Sequence, residues 1–303
     1  MLERRGFLFC EVVPVLRELV SPAKINLTLR ITGSLQGGYH SLGTLFLRLP
    51  AAEKLTLSIN DHNNVSEHIL RVHGFSIRGK NILDKVLKIA RRKSSALPFF
   101  EIDLWKKIPP GSGIGSGSGN AAALARFLTD EGFVQFSEEE ILSLGADVPF
   151  LFGGERAGYR SGIGDIPSPL QGVEKISPQV LVVVPCWSQN TAEAYRLADD
   201  LYRSSGWPMS DKDAREEALR IARILARKEK TGLLPNDFFP VISARHPEYH
   251  DFARIADSSG SFAWGLGGSG SSFFCLFREG AGLMKAVELF KRHDVARHIF
   301  DLG

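Results

Sequence analysis

Cysteine is scarce in this chain. Its 303 residues include only Cys10, Cys186 and Cys275. An odd count with no close pair excludes a disulfide framework and points to reduced thiols in a cytoplasmic setting. No apolar run is long enough to span a bilayer, so no membrane association is expected. Arg4-Arg5 ahead of Gly6-Phe7-Leu8-Phe9-Cys10 has the outline of a secretion signal. Glu11 cuts that run short and no small-residue cleavage site follows, so the residues before Ser21 read as a loosely held extension. Charge of one sign is lacking too. Lys and Arg number 37 against 34 Asp and Glu, a net +3. That is too little for a nucleic-acid partner but suits an anionic small molecule. No Gly-x-Ser-x-Gly nucleophile elbow occurs. His246 and His250 are separated by Pro247, which works against a mid-helix metal pair, and both read as surface residues. Lys88, Arg91, Arg92 and Lys93 fall at a helix end, where cations complement the dipole.

What remains is globular composition, 44% hydrophobic and 23% charged, sufficient for one large core or two moderate ones. Ile25, Leu27, Leu29 and Ile31 alternate with Lys24, Asn26, Thr28 and Arg30, which predicts a strand over 23–31. Further strands are expected at 45–49, 55–59, 68–73, 99–105, 180–185, 262–264, 273–277 and 296–300. Helices are expected at 82–92, after the glycine tract, 137–144, 192–202, 213–228 and 282–293. Ser137 and Glu140 form a capping-box signature. The run 180–185 reads as a buried strand that opens a second domain. The order is mixed α+β, not a strict βαβ alternation.

The richest segment is Pro109-Pro110-Gly111-Ser112-Gly113-Ile114-Gly115-Ser116-Gly117-Ser118-Gly119-Asn120, followed at once by helix-forming Ala121-Ala122-Ala123-Leu124. Glycine permits positive φ and close backbone approach, and a helix start adds unpaired N–H groups and the positive dipole end. Phosphate binding is the working reading; a flexible linker is the alternative. Gly74 to Asn81 approximates a P-loop, but Asn81 replaces the Ser/Thr that holds magnesium, and a turn ending in an Asn helix cap fits better. Gly117 to Ala122 and Gly265 to Gly270 match the dinucleotide fingerprint only weakly, each lacking part of its strand–helix context. Gly145-Ala146-Asp147-Val148-Pro149 sets a carboxylate among small and apolar neighbours. Asp147 is either a partly desolvated functional group or a helix cap. Lys24 is likewise either functional or an exposed strand lysine.

Taken in order, these stretches resemble the GHMP kinases. Ser21-Pro22-Ala23-Lys24-Ile25-Asn26-Leu27, Gly38-Tyr39-His40-Ser41-Leu42, Thr44-Leu45-Phe46, the glycine tract, Gly145 to Pro149, Thr191-Ala192-Glu193-Ala194-Tyr195, Asn236-Asp237 and Gly268-Ser269-Gly270 carry the likeness. The Gly-Tyr-His and Gly-Ala-Asp-Val-Pro pieces are similar to those of members that phosphorylate a cytidine-diphosphate-linked alcohol. The resemblance implies a two-domain α+β fold. Residues 1–168 would be ribosomal protein S5 domain 2-like and residues 169–303 ferredoxin-like. It implies ATP and Mg²⁺, a small-molecule substrate, and a monomer or homodimer. Lys24 and Asp147 would be catalytic, with Asn26, Tyr39, His40, Thr191 and Tyr195 on the substrate. Tyr39 and Tyr195 would sandwich the cytosine while His40 hydrogen-bonds its edge. Asn81 would lie near adenine, and Pro110, Gly111, Ser112, Gly113, Ile114, Gly115, Ser116, Gly117, Ser118, Gly119 and Asn120 would wrap the ATP phosphates. Three positions depart from the usual pattern. Gly119 stands for a second serine, Gly267 for a Ser/Thr, and Pro110 for a commoner methionine.

Overall fold

A computed structural model describes residues 17–59, 67–202, 206–207 and 209–302. Cys10 and the signal-like run at 4–10 lie outside the described residues. The first sheet is organised on two long strands, β1 (Arg17–Ser34) and β2 (His40–Ile59), paired antiparallel along almost their whole lengths. Two of the expectations above change here. Residues 17–20 are not loose, because Arg17 to Val20 pair with Leu57 to Lys54. The runs 45–49 and 55–59 belong to one strand. The register shifts between Ser21 and Ala23, opposite Leu49 and Glu53, so Pro22 and Pro50 sit at a bulge that bends the ribbon without ending it.

β3 (Ile69–Gly74), β4 (Phe100–Lys106), β5 (Ala157–Ser161) and β6 (Ile166–Ser168) complete the sheet in the order β3-β4-β2-β5-β6, with β1 on β2. Helices α1 (Ile82–Lys93), α2 (Ser116–Asp130), α3 (Glu138–Leu144) and α4 (Val148–Gly153) pack on it. Leu55, Leu57, Ile102 and Leu104 of the sheet meet Leu83, Val86, Leu124 and Phe150 of the helices in one core. The expected α1 face, Leu83, Val86, Leu87 and Ala90, is buried. The capping box forms, with Glu140 N donating to Ser137 Oγ at 3.2 Å and Ser137 N to Glu140 Oε2 at 2.8 Å.

The second sheet runs β11-β7-β10-β9-β8. Its strands are β7 (Gln179–Pro185), β8 (Gly232–Leu233), β9 (Ala263–Leu266), β10 (Phe273–Phe277) and β11 (Ala296–Asp301). They are accompanied by α5 (Thr191–Tyr202), α7 (Phe239–Arg245), α8 (Tyr249–Ser258) and α9 (Gly280–Lys291), whereas α6 (Asp211–Ala226) crosses back to pack on β1, β2 and β5 of the first sheet. α7 and α8 are unanticipated: Pro247 separates them instead of abolishing both. His246 is not a bare surface residue, since its ring stacks on Trp187 at 4.4 Å. Burial lowers its pKa.

Strand periodicity joins the two sheets. Val180, Val182 and Val184 share a core with Ala23, Ile25 and Leu27, while Leu181 and Val183 turn to the core of α5, α8 and α9. Across the join, Arg30 donates to Glu217 at 2.7 and 2.9 Å and to Asp237 at 2.5 Å, and Asp237 also accepts from Ile31 N at 2.8 Å. Asn236 donates to Leu266 O and Gly268 O at 3.1 and 2.9 Å, tying this crossing to the closing glycine motif.

Candidate active site

Ile108, just before the glycine tract, and Ile114, within it, are fully buried and pin the tract to the core. Ile114 O accepts from Lys24 N at 2.8 Å, so Ile114 contributes an anchor and not a ligand side chain. Gly113 has φ +83°, and a Cβ there would overlap the carbonyls of Gly267 and Gly270. The phosphate-type loop and the closing motif are thus packed backbone to backbone, with Ser272 N donating to Ser112 O at 3.0 Å. Gly115, in the left-handed region at φ 66°, caps α2 without any side-chain cap. The first N–H groups of a 15-residue helix therefore stay available to an anion. They stand beside a cavity of about 380 Å³ lined by Asn81, Pro110, Gly111, Ser116, Gly117 and Ser118.

A polar network that motif reading missed lies beneath this loop. The Glu53 side chain is fully buried. It accepts from Lys106 Nζ at 2.7 and 2.9 Å, from Ile108 N at 2.8 Å and from Asn120 Nδ2 at 2.9 Å. Lys106 Nζ also donates to Ser116 Oγ at 2.8 Å. Desolvation outweighs its pairing with Glu53 and lowers the Lys106 pKa. Lys106 follows an alternating strand and resembles any edge lysine in sequence; Glu53 gives no motif signal at all.

The network also takes in Asn120, which directs one of the two N–H groups of its amide to Glu53. Its buried Oδ1 has no partner among the described residues, and an acceptor does not suit a phosphate oxygen. Gly119 is also explained. A Cβ there would overlap Pro22 O, so the position faces β1 and the absent serine leaves no gap in the cavity. Gly267 is similar, its Cβ position being taken by Ser272 Oγ. Asn81 caps α1 through Leu83 N at 3.1 Å and keeps a buried Nδ2 with no partner among the described residues. It lines both the loop cavity and a groove of about 1030 Å³ shared with His68, Lys80 and Phe99.

Period two in β1 sets Lys24, Asn26 and Thr28 on one face, and all three are buried. Lys24 Nζ donates to Asn26 Oδ1 at 3.0 Å, lies 3.4 Å from Asp147 Oδ2, and sits 4.9 Å from the Phe46 ring centroid. Asn26 Nδ2 donates to Thr44 Oγ1 at 2.8 Å, and Thr44 donates to Thr28 O at 2.7 Å, which fixes the amide orientation. Lys24 is no exposed strand lysine. Asp147 occupies the cap position of α4 but makes no capping hydrogen bond; its carboxylate is turned to Lys24. A cavity of about 280 Å³ opens on this pair and is lined by Asn26, Ser118, Asp147, Thr191 and Tyr195. Gly113, Gly115 and Ser118 line it and the loop cavity alike. Thr191 Oγ1 lies 3.1 Å from Ser269 Oγ.

His40 and Tyr195 continue the tract. Their rings stack at 4.6 Å and 16°, and His40 Nε2 lies 2.7 Å from Asp199 Oδ1. Tyr39, 62% exposed, stands at a further cavity of about 490 Å³ with His40, Asp199, Tyr202 and Trp207. Asp199 draws the imidazole onto α5, where it covers a face of Tyr195, and Phe238 abuts Tyr195 edge-on at 4.9 Å. Burial pushes the Tyr195 phenol up to about 12.

The GHMP kinases N terminal domain model matches residues 81–172, which places the glycine loop and Asp147 within that class. A 4-diphosphocytidyl-2-C-methyl-D-erythritol kinase of Porphyromonas gingivalis is 30% identical over 271 residues, 88% of this chain and 93% of the relative. One from Thermotoga maritima is 32% identical over 266 residues, 86% and 92% of the two chains. A crystal structure of 4-(cytidine 5'-diphospho)-2C-methyl-D-erythritol kinase shares the fold, with a TM-score of 0.76 at 24% identity over 94% of this chain and 97% of its own. The chain belongs to the 4-diphosphocytidyl-2-C-methyl-D-erythritol kinase family.

Proposed function

We infer that this chain is an ATP-dependent kinase that phosphorylates the 2-hydroxyl of 4-diphosphocytidyl-2-C-methyl-D-erythritol in isoprenoid precursor synthesis. The observation that carries the reading is the Lys24–Asp147 pair, 3.4 Å apart, at the junction of the glycine-loop cavity and the cavity leading to Tyr195. ATP phosphates in the first and an alcohol in the second would meet at that pair. Phosphoryl transfer asks mainly for positioning and charge stabilisation. Asp147 then accepts the proton of the attacking hydroxyl, and Lys24, oriented by Asn26, balances charge on the transferred group. The N–H groups of α2 with Ser116 and Ser118 cradle the phosphates, and Asn81 offers its free Nδ2 to the adenine or ribose. Tyr39, His40, Thr191 and Tyr195 hold the cytidine end.

Mg²⁺ fits this donor set. It keeps waters and phosphate oxygens and asks for only one or two protein ligands, and Ser116, Ser118 and Asp147 are the groups that would supply them. Bound with ATP, the ion neutralises phosphate charge. We read the chain as two domains, residues 1–168 with the loop and catalytic pair and residues 169–303 behind the substrate, because the strands divide into two separate sheets. We further propose a cytoplasmic protein without nucleic-acid partners, monomeric or homodimeric; among the described residues no helix is long and apolar enough to cross a membrane.

Packing accounts for the departures at Gly119 and Gly267, so neither argues for a non-catalytic protein that binds the cytidine compound without turnover. Purified protein with ATP and Mg²⁺ is expected to release ADP when given the cytidine substrate, and not with homoserine or mevalonate. ADP release with either of those alone points to another member of the class. Cytidine-compound binding without ATP binding points to a pseudokinase.

A further inference from the structure

α4 is too short to hold itself. Six residues close few internal hydrogen bonds, so the orientation of such a helix is set by what grips its ends. At its N-terminus Asp147 makes no capping bond, and its carboxylate turns to Lys24 at 3.4 Å. Two arginines take the other end. Arg126 of α2 donates through Nη2 to Phe152 O, and its guanidinium lies 5.5 Å from the Phe152 ring centroid. Arg48 of β2 donates through Nη1 to Gly154 O at 3.3 Å. Cations at a helix C-terminus satisfy its last carbonyls and complement its dipole. Gly154, at φ +79°, leaves room for this, since a Cβ there would come within 3.1 Å of Arg126 Nη2. Arg48 is also the cross-strand partner of Lys24, and such partners stand on one face of the sheet. One rung of the β1–β2 ladder therefore touches α4 at both ends, with Lys24 at Asp147 and Arg48 at Gly154.

We propose that Arg126 and Arg48 are positioning residues for phosphoryl transfer: they seat the C-terminal end of α4 and thereby hold Asp147, at its other end, against Lys24. This assignment rests on the reading of Asp147 as the group that accepts the hydroxyl proton. Neither arginine lines the cavity that opens on Asp147 or the glycine-loop cavity, so both act through the helix and not on the reactants. Six residues of α-helix are about 9 Å long, and a tilt released at one end of so short a rod moves the other. Misplacing a reacting group by about 1 Å can cost on the order of 10²-fold in rate. The proposed contacts to ATP and to the cytidine end lie in the glycine loop and around Tyr195, so affinity for either is spared. A purely structural cap would lower stability without singling out the chemical step.

The test measures kcat and the KM values of ATP and the cytidine substrate for wild type, Arg126→Ala, Arg126→Lys and Arg48→Ala. Each is also made in an Asp147→Asn background and assayed where melts show it folded. Arg126→Ala is expected to lower kcat roughly 10- to 100-fold and to move both KM values less than about twofold. Arg126→Lys, which keeps a donor and the charge, recovers most of that loss. Arg48→Ala costs less, roughly 3- to 10-fold, because its hydrogen bond is long. With Asp147 already replaced, either alanine variant lowers kcat less than about twofold further, since residues that act through one group are not additive. Full additivity with Asp147→Asn, or wild-type kcat in a folded Arg126→Ala, overturns the proposal. Should Arg126→Ala fail to fold, the cycle of Arg48→Ala with Asp147→Asn decides by the same criterion. Near-wild-type turnover by Asp147→Asn alone refutes instead the reading of Asp147 as proton acceptor, and the proposal with it.

Discussion

On one side of Lys24 and Asp147, Gly113 and Gly268 bring two loops so close that neither position accepts a Cβ, and Glu53 holds three donor groups through four hydrogen bonds beneath them. On the other side, His40 from β2, Tyr195 and Asp199 from α5, and Trp207 meet as side chains around a cavity whose outermost member, Tyr39, is largely exposed. The phosphate side is therefore a backbone construction with little freedom to move. The proposed cytidine side is a cluster of side-chain rings around an open cavity. On the proposed reading, phosphates, which every kinase of the class must hold, would meet main-chain donors, and the base, which distinguishes one substrate from another, would meet replaceable side chains.

Substitutions can break this comparison. The largest effect is expected for Asp147→Asn. Its kcat should fall on the order of 10²–10⁴-fold, as for loss of a positioned base, with the KM of the cytidine substrate little changed. A variant that keeps most activity would reduce Asp147 to structure. Glu53→Gln breaks a buried ion pair and should cost about 3–5 kcal/mol of stability in denaturant melts. A loss below about 1 kcal/mol would mean that the network does not lock the loop. Gly119→Ser should cost roughly 1–3 kcal/mol by overpacking against Pro22. Higher stability with tighter ATP binding would instead show that the glycine is a defect of the phosphate site. The smallest effect belongs to the exposed ring. Tyr39→Ala should weaken substrate KM by roughly 2–10-fold, the share of one aromatic pair, and leave the KM of ATP alone.

The same contrast explains what could be read in advance. The glycine tract announces itself because close backbone approach admits only one residue type, and a following helix betrays the anion site. Period two in β1 and the amphipathic spacing of α1 carried their elements because one face of each is buried. In sequence the long β2 reads as two strands because its alternation lapses around Pro50, whereas in the fold a bulge absorbs the break. α7 and α8 were hidden by Pro247. Glu53 and Lys106 lie 53 residues apart, and His40 and Asp199 lie 159 apart; no local pattern links such pairs. For Asp147 and Lys24 the local sequence left cap and exposed-lysine readings open, and only the fold, by setting them 3.4 Å apart, removed both.

The central claim is that the Lys24–Asp147 junction joins an ATP site to a cytidine-alcohol site. Phosphorus-31 NMR of the complete reaction tests it most directly. The account predicts that ATP resonances give way to ADP together with one new phosphomonoester, borne by the 2-hydroxyl of 4-diphosphocytidyl-2-C-methyl-D-erythritol. ATP consumption with inorganic phosphate as the only other product, or a phosphomonoester formed only on mevalonate or homoserine, would contradict it.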